Sequence, residues 1–263
     1  MHDPEPPRLS AATGPQDTAK KKVPETDAIF EHLREVHAQA AHDPTVLRIS
    51  IDTKAKVKIG EFSRGGRARG LQAMAAADHD MHPVAVLAPA GILEVAAGQL
   101  NVIFGTSRDT SDFVADCLDR WWSERRHVYP NTQRLLIDLD NGPEIGSSRT
   151  QFMKRLLGFA DRHQLTLELA YYPPYHSKYN PIERCWGILE NHWNGSLLNS
   201  VATTLAWARS MTWRGVKPIV HLLDRVYETG VRISRAAFRP IAARLERSAT
   251  LPKWSVVIHP QSG

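Results

Sequence analysis

The run Tyr171-Tyr-Pro-Pro-Tyr-His-Ser-Lys-Tyr-Asn-Pro-Ile-Glu-Arg-Cys-Trp-Gly-Ile-Leu-Glu-Asn-His-Trp193 decides how the rest of the chain is read. Pro173 and Pro174 cannot lie inside a helix, and the polar His176, Ser177 and Lys178 that follow carry no apolar period, so this part reads as a loop. Asn180 can then serve as N-cap with Pro181 at the first helical position. Ile182, Trp186, Leu189 and Trp193 recur at helical spacing along one face. Glu183 becomes a first-turn carboxylate near the positive end of a helix dipole, just after a basic loop. An acid so placed is a candidate metal ligand, and the upstream chain must supply its partners.

Two partners stand out. From Val46 to Ile59 the period changes to two, and a strand here carries Asp52 on the face opposite Leu47, Ile49 and Ile51. Gln133 to Asp140 is a second, mostly apolar strand that stops at the turn formers Asn141, Gly142 and Pro143. Asp140 therefore sits at a strand's C-terminal end, where open α/β sheets place their ligands. Between these two lie a strand with its turn over 82–95, a third over 99–105, and a helix capped by Thr110 or Ser111 with Phe113, Val114, Cys117, Leu118 and Trp121 inward. A helix over 148–163 and a last strand over 165–170 lead back to the Pro173 loop. With the strands carrying Asp52 and Asp140 adjacent, the three acids can converge at one edge of a mixed five-stranded sheet. Converging carboxylates repel unless cations sit between them. An all-oxygen set without His or Cys favours Mg²⁺ or Mn²⁺ over zinc. Two such ions about 4 Å apart can drive in-line displacement at phosphorus.

The rest of the chain sets the bounds. At 263 residues, 42% apolar, it suits one sizeable domain with appendages. The amino end has neither a basic nor an apolar signal region and no run is long enough to span a bilayer, so a cytoplasmic protein without membrane contact is expected. Cys117 and Cys185 fit neither a zinc spacing nor a disulfide framework. The net charge of +5 points weakly to an anionic partner. Residues 1–26 read as a disordered basic tail and 27–45 as a short helix with Asp27 as cap. After residue 199 the pattern reads as a helical extension packed on the core, with helices over 201–208 and 217–229.

The blocks Ile49-Ser-Ile-Asp-Thr-Lys-Ala-Lys-Val-Lys-Ile-Gly-Glu-Phe-Ser-Arg-Gly-Gly66, Asp78-His-Asp80, Thr110-Ser-Asp-Phe113, Leu139-Asp-Asn-Gly-Pro-Glu144 and Tyr171 to Trp193 together resemble one family. It is that of the DDE transposases of bacterial insertion sequences, of the ISAzo type. The resemblance covers most of residues 27–258. It implies a ribonuclease H-like catalytic core over 46–198 and the acids Asp52, Asp140 and Glu183 as catalytic metal ligands. It also implies cleavage and 3′-hydroxyl transfer of DNA, at element ends and target, by a protein that can form a homo-oligomer on DNA. Such transposases usually carry a helix-turn-helix type region ahead of the core, and only a short tail precedes Asp27, so that region is expected to be missing. A remnant that only binds DNA, or a nuclease without strand transfer, is the alternative.

Expected DNA contacts are Lys54, Arg64, Arg67 and Arg69, the arginines lying among glycines that let the backbone approach phosphates, and His176 and Lys178 in the loop before Glu183. Asp138 shares a strand face with Asp140 and is the second choice for its role; Glu144 is also close. Glu190, two turns beyond Glu183, reads as a solvated residue. Asp78, His79 and Asp80 are ligands by type but equally a turn-forming cluster.

Overall fold

The computed structural model describes residues 23–65 and 82–261. The expected basic tail up to residue 22, Arg67, Arg69 and the Asp78-His79-Asp80 cluster lie outside them.

Strands β1 (Val46–Thr53), β3 (Ala85–Glu94), β4 (Gln99–Gly105), β5 (Arg134–Leu139) and β6 (Thr166–Tyr171) form the mixed five-stranded core. The short β2 (Val57–Ile59) branches off β3. β1, β3 and β4 are antiparallel neighbours, while β5 and β6 run parallel to β1 on its other side. β1 is central and covered on both faces, which explains why an acid can occur in it only with a partner.

The expected single strand over 46–59 is broken. Thr53 pairs with Ala90, and Val57 then resumes the pairing at Leu87. Pro89 falls in that gap. Its carbonyl accepts from the Lys54 amide, and because N and C=O of one strand residue point to the same side, its missing N–H faces the place where β1 has left. β3 can thus run through Pro89 as one strand instead of turning there.

Helices α2 (Ser111–Arg125) and α3 (Thr150–His163) cover the face that bears Leu47, Ile49 and Ile51. Thr110 caps α2, its hydroxyl accepting from the Phe113 amide at 3.3 Å. α3 ends on Gln164 in the left-handed region at φ 54°. The opposite face carries α1 (Thr26–His42), α4 (Glu183–Trp193) and α5 (Val201–Ser210). α1 buries Ile29, Leu33 and Val36 at i, i+4 and i+7. Its cap position is Glu25, and Asp27 stands in the first turn instead.

The carboxyl-terminal part departs furthest from expectation. α5 forms as read, capped by Ser200, but the helix expected over 217–229 is absent. Ile219–Leu223 is instead strand β7, parallel to β4. A short apolar run fits strand or helix by periodicity alone, and here it closes an otherwise open edge of the sheet. Beyond α6 (Arg235–Ala242), strands β8 (Leu245–Arg247) and β9 (Ser255–Ile258) form a hairpin on the other edge, β9 antiparallel to β6. The extension is therefore part strand, and the five core strands become the middle of a nine-stranded sheet ordered β7-β4-β3-β1-β5-β6-β9-β8, with β2 on β3. Among the described residues no helix is long and apolar enough to cross a membrane.

Candidate active site

Strand register brings the first two acids together. Ser50 pairs with Asp138 in the parallel β1–β5 ladder, so the same register carried two residues on sets Asp140 beside Asp52 on the same face. Asp140 stands just past the end of β5, its Oδ1 accepting from the Gly142 amide at 3.2 Å. The loop behind it is bolted down twice. Asn141 Oδ1 accepts from the Ser147 amide, and the Ser147 hydroxyl donates to the Lys253 carbonyl in the β8–β9 hairpin. Tyr171, fully buried, donates its hydroxyl to the Ile145 carbonyl of the same loop.

Glu183 arrives from α4, which is fixed against β1 by a buried lock. Asn180 does not cap α4 as expected. The position before the helix is Ile182, and the Asn180 side chain instead accepts from the Ser50 hydroxyl at 2.5 Å and donates to the Ile51 carbonyl. The Ser50 hydroxyl in turn accepts from the Ile182 amide at 3.1 Å. Pro181 thus lies in a turn before the helix. One turn into α4, the Trp186 indole N–H donates to Asp52 Oδ2 at 2.9 Å. Gly91 on β3 makes the close approach possible, because a Cβ there would stand 2.6 Å from Ile182 Cδ1 and 2.7 Å from the Trp186 ring.

The electrostatics follow. Burial pushes the Asp52 carboxyl up to about 7, and the neighbouring carboxylates of Asp140 and then Glu183 push it in the same direction, against the Trp186 hydrogen bond. Asp140 is also raised, by burial. Three mutually repelling carboxylates, two of them withdrawn from water, are a fit for hard divalent cations. Among the described residues, however, no three acidic, imidazole or thiol groups are drawn in closely enough to hold an ion without movement.

The alternatives to Asp140 are committed elsewhere. Asp138 is fully buried; Oδ2 accepts from Arg48 Nε and Nη2 at 2.9 and 2.7 Å, and Oδ1 pairs with His37 Nε2 at 2.8 Å. It ties α1 to β1 and β5. Glu144 accepts from the Ser111 amide at the start of α2 and from Arg149.

The expected DNA contacts divide. Glu190, read as solvated, is the hub of a cluster: its carboxylate meets Lys54 Nζ at 2.7 Å and Arg64 Nη2 at 3.5 Å, and accepts from the Trp193 indole at 2.8 Å. Arg64 also lies 5.2 Å over the Trp193 ring. Lys54 and Arg64 are thus held by α4 and not presented to solvent. His176 donates from Nδ1 to the Pro174 carbonyl and packs against Phe30 and Tyr179. Lys178 is exposed, its ammonium 5.2 Å from the Tyr179 ring.

Sequence reasoning missed Ser50, Asn180 and Trp186 as the parts that aim the acids. One signal was available: Ser50 shares the face of Asp52, and a small hydroxyl inside a buried strand calls for a partner.

Solved structures with a similar fold include the Mos1 transposase paired-end complex with left transposon end, at 10% identity and a TM-score of 0.50 over 74% of this chain and 58% of that one. A second is the Mos1 mariner paired-end complex with Mn, also at 10% and 0.50, over 70% and 52%. The chain spans little more than half the length of these proteins. At that identity the likeness carries the fold, and it agrees with the expected ribonuclease H-like core. No curated protein is similar at a significant level. The family model described as Rhodopirellula transposase DDE domain matches residues 12–260. With residues 12–260 of its 263 matched by that model, the chain belongs to the transposase DDE domain family.

Proposed function

We propose that the chain is the catalytic core of a DNA transposase, cutting DNA strands and joining a freed 3′-hydroxyl to target DNA with Mg²⁺ or Mn²⁺. The observation that carries this reading is Asp52: a buried carboxyl, aimed by Trp186, whose strongest charged neighbours are two further acids. Asp52, Asp140 and Glu183 are the residues that would hold the ions. Bound there, a pair of divalent cations supplies a lowered pKa for the attacking water or hydroxyl and neutralises charge at the scissile phosphate.

The chain's own groups do the rest. Trp186 fixes one oxygen of Asp52, and the Gly142 amide fixes one of Asp140. Glu183, half-buried on the first helical turn, has the freedom to swing inward. Lys178 and Arg184, both exposed and close to Glu183 in the chain, suit phosphates of the bound strand. Lys54 and Arg64 join them once a phosphate competes with Glu190 for their charge.

Supercoiled plasmid incubated with Mg²⁺, Mn²⁺ or EDTA tests the reading. Metal-dependent nicking that disappears in Asp140→Asn and Glu183→Gln, with DNA binding retained, is expected. Retardation without nicking would reduce the protein to a DNA binder. Nicking with no joined product from an end-bearing oligonucleotide would leave a nuclease.

A further inference from the structure

Phe30 does not belong to the stripe that seats α1. Ile29, Leu33 and Val36 are buried against the sheet, and His37, bonded to Asp138, fixes a second point of the same helix. Phe30 is turned off that stripe by one residue, half-buried, and meets the loop that leads to Glu183. Its ring stands edge-on to His176 at 5.5 Å and to Tyr179 at 5.2 Å, both at 76°. His176 and Tyr179 lie nearly parallel to each other, 21° apart at 6.1 Å. One ring of a firmly seated helix thus closes an aromatic trio with two rings of a segment far along the chain.

The segment between β6 and α4 needs such a hold. Tyr175 at its tip is exposed and sits in the left-handed region at φ 63°, a conformation a bulky residue keeps only under constraint from its surroundings. The chain then makes a single helical turn, Ser177–Tyr179, whose backbone bonds are local: the His176 amide to the Pro173 carbonyl, Tyr179 to His176, Asn180 to Ser177. Local bonds shape a turn without fixing its place on the sheet. Asn180, fully buried, supplies that place on the inner side through Ser50 and Ile51. The Glu183 amide donates to the Asn180 carbonyl at 3.1 Å, so the first turn of α4 starts from that residue. Phe30 holds the neighbouring Tyr179 from the outer side.

We propose that Phe30 is a positioning residue for Glu183: acting through Tyr179 and Asn180, it sets where the first turn of α4 stands and so where the Glu183 carboxylate can meet an ion shared with Asp52 and Asp140. Asp52 stands on a strand and Asp140 one residue past the end of another, and the two strands are paired in register. Glu183 is the acid of the three that a loop delivers. A ligand carried by a loose loop loses conformational freedom when it binds an ion, and a loop already held in place has less to lose. Aromatic rings suit the task because an edge-to-face contact has a preferred geometry, which an aliphatic side chain of similar bulk does not impose. The inference rests on the reading of Glu183 as a metal ligand.

The test is a Mn²⁺ titration of the full chain without DNA, read from the free-ion signal in electron paramagnetic resonance. Phe30→Ala and, separately, Tyr179→Ala should weaken Mn²⁺ binding by about threefold to tenfold, the scale of an edge-to-face ring pair. The double variant should be no weaker than the worse single, because both remove one contact. Phe30→Tyr keeps the ring and should bind as the wild type does. Tyr179 is 52% exposed, so its removal leaves the core intact. In EDTA, hydrogen exchange at residues 176–183 should quicken by a similar factor in both alanine variants, with β1 and β5 unchanged. Unaltered Mn²⁺ affinity in the alanine variants, a double variant weakened by the product of the singles, Phe30→Tyr as weak as Phe30→Ala, or exchange at 176–183 that stays at the wild-type rate would each overturn the proposal. Exchange that quickens along the whole chain would do the same. A wild-type chain that binds no Mn²⁺ would overturn the metal reading of the three acids and this inference with it, whereas wild-type binding that survives Phe30→Ala would overturn this inference alone.

Discussion

Removing the charge at Asp52 should stabilise the metal-free protein at alkaline pH. The folded carboxyl titrates at about 7 against an ordinary value of 3.8, a rise of about 3 units; at 1.36 kcal/mol per unit this is ~4 kcal/mol. Because the pKa is raised in an acid, the folded state holds the extra proton between about pH 4 and pH 7. Stability from this group is therefore present below that window and is lost as pH rises through it. Asp52→Asn keeps an oxygen to accept from Trp186 and carries no charge. In EDTA at pH 8 the variant should melt higher by on the order of 10 °C, an upper figure at a few degrees per kcal/mol for a chain of this size. At pH 4 the two proteins should melt together. Mn²⁺ should raise the wild-type melting temperature at pH 8 and raise the variant's far less. Thermal melts followed by circular dichroism at the two pH values decide it. A variant destabilised at pH 8, or a difference independent of pH, would refute the claim that burial, together with the neighbouring acids, raises Asp52.

Three further outcomes follow from the same contacts. Asp138→Asn leaves Arg48 and His37 facing a neutral amide inside the β1–β5 seam, and urea unfolding should report a loss of about 3 kcal/mol. Gly91→Ala drives a methyl against Ile182 and Trp186; it should lower stability by about 1–3 kcal/mol and cut nicking with it, because Trp186 aims Asp52. Glu190→Gln releases Lys54 and Arg64, so duplex DNA should bind about threefold to tenfold tighter by anisotropy, the effect of removing roughly 1 kcal/mol of competing pairing; unchanged or weaker binding would mean these cations never reach DNA.

The sequence made the centre of the sheet legible and its edges not. β1 and β5 declared themselves because a buried strand interrupted by an acid has few other readings, and Asp140 was placed by the turn formers that follow it. Residues 217–229 were misread because Ile219 to Leu223 satisfy either period, and only the open edge of β4 makes the choice. The β8–β9 hairpin was invisible for the same reason, yet it anchors the Asp140 loop through Lys253. Asn180 followed a local rule for helix caps that a non-local demand overrode: the Ser50 hydroxyl inside the sheet needed an acceptor. Glu190 looked solvated because its partners, Lys54 and Arg64, lie far away in the chain.

The most direct measurement is anomalous diffraction from crystals of the chain soaked in Mn²⁺. The account predicts an anomalous peak within about 2.5 Å of carboxylate oxygens of both Asp52 and Asp140, with Glu183 turned toward it. A peak only at other residues, or none at saturating Mn²⁺, would contradict it.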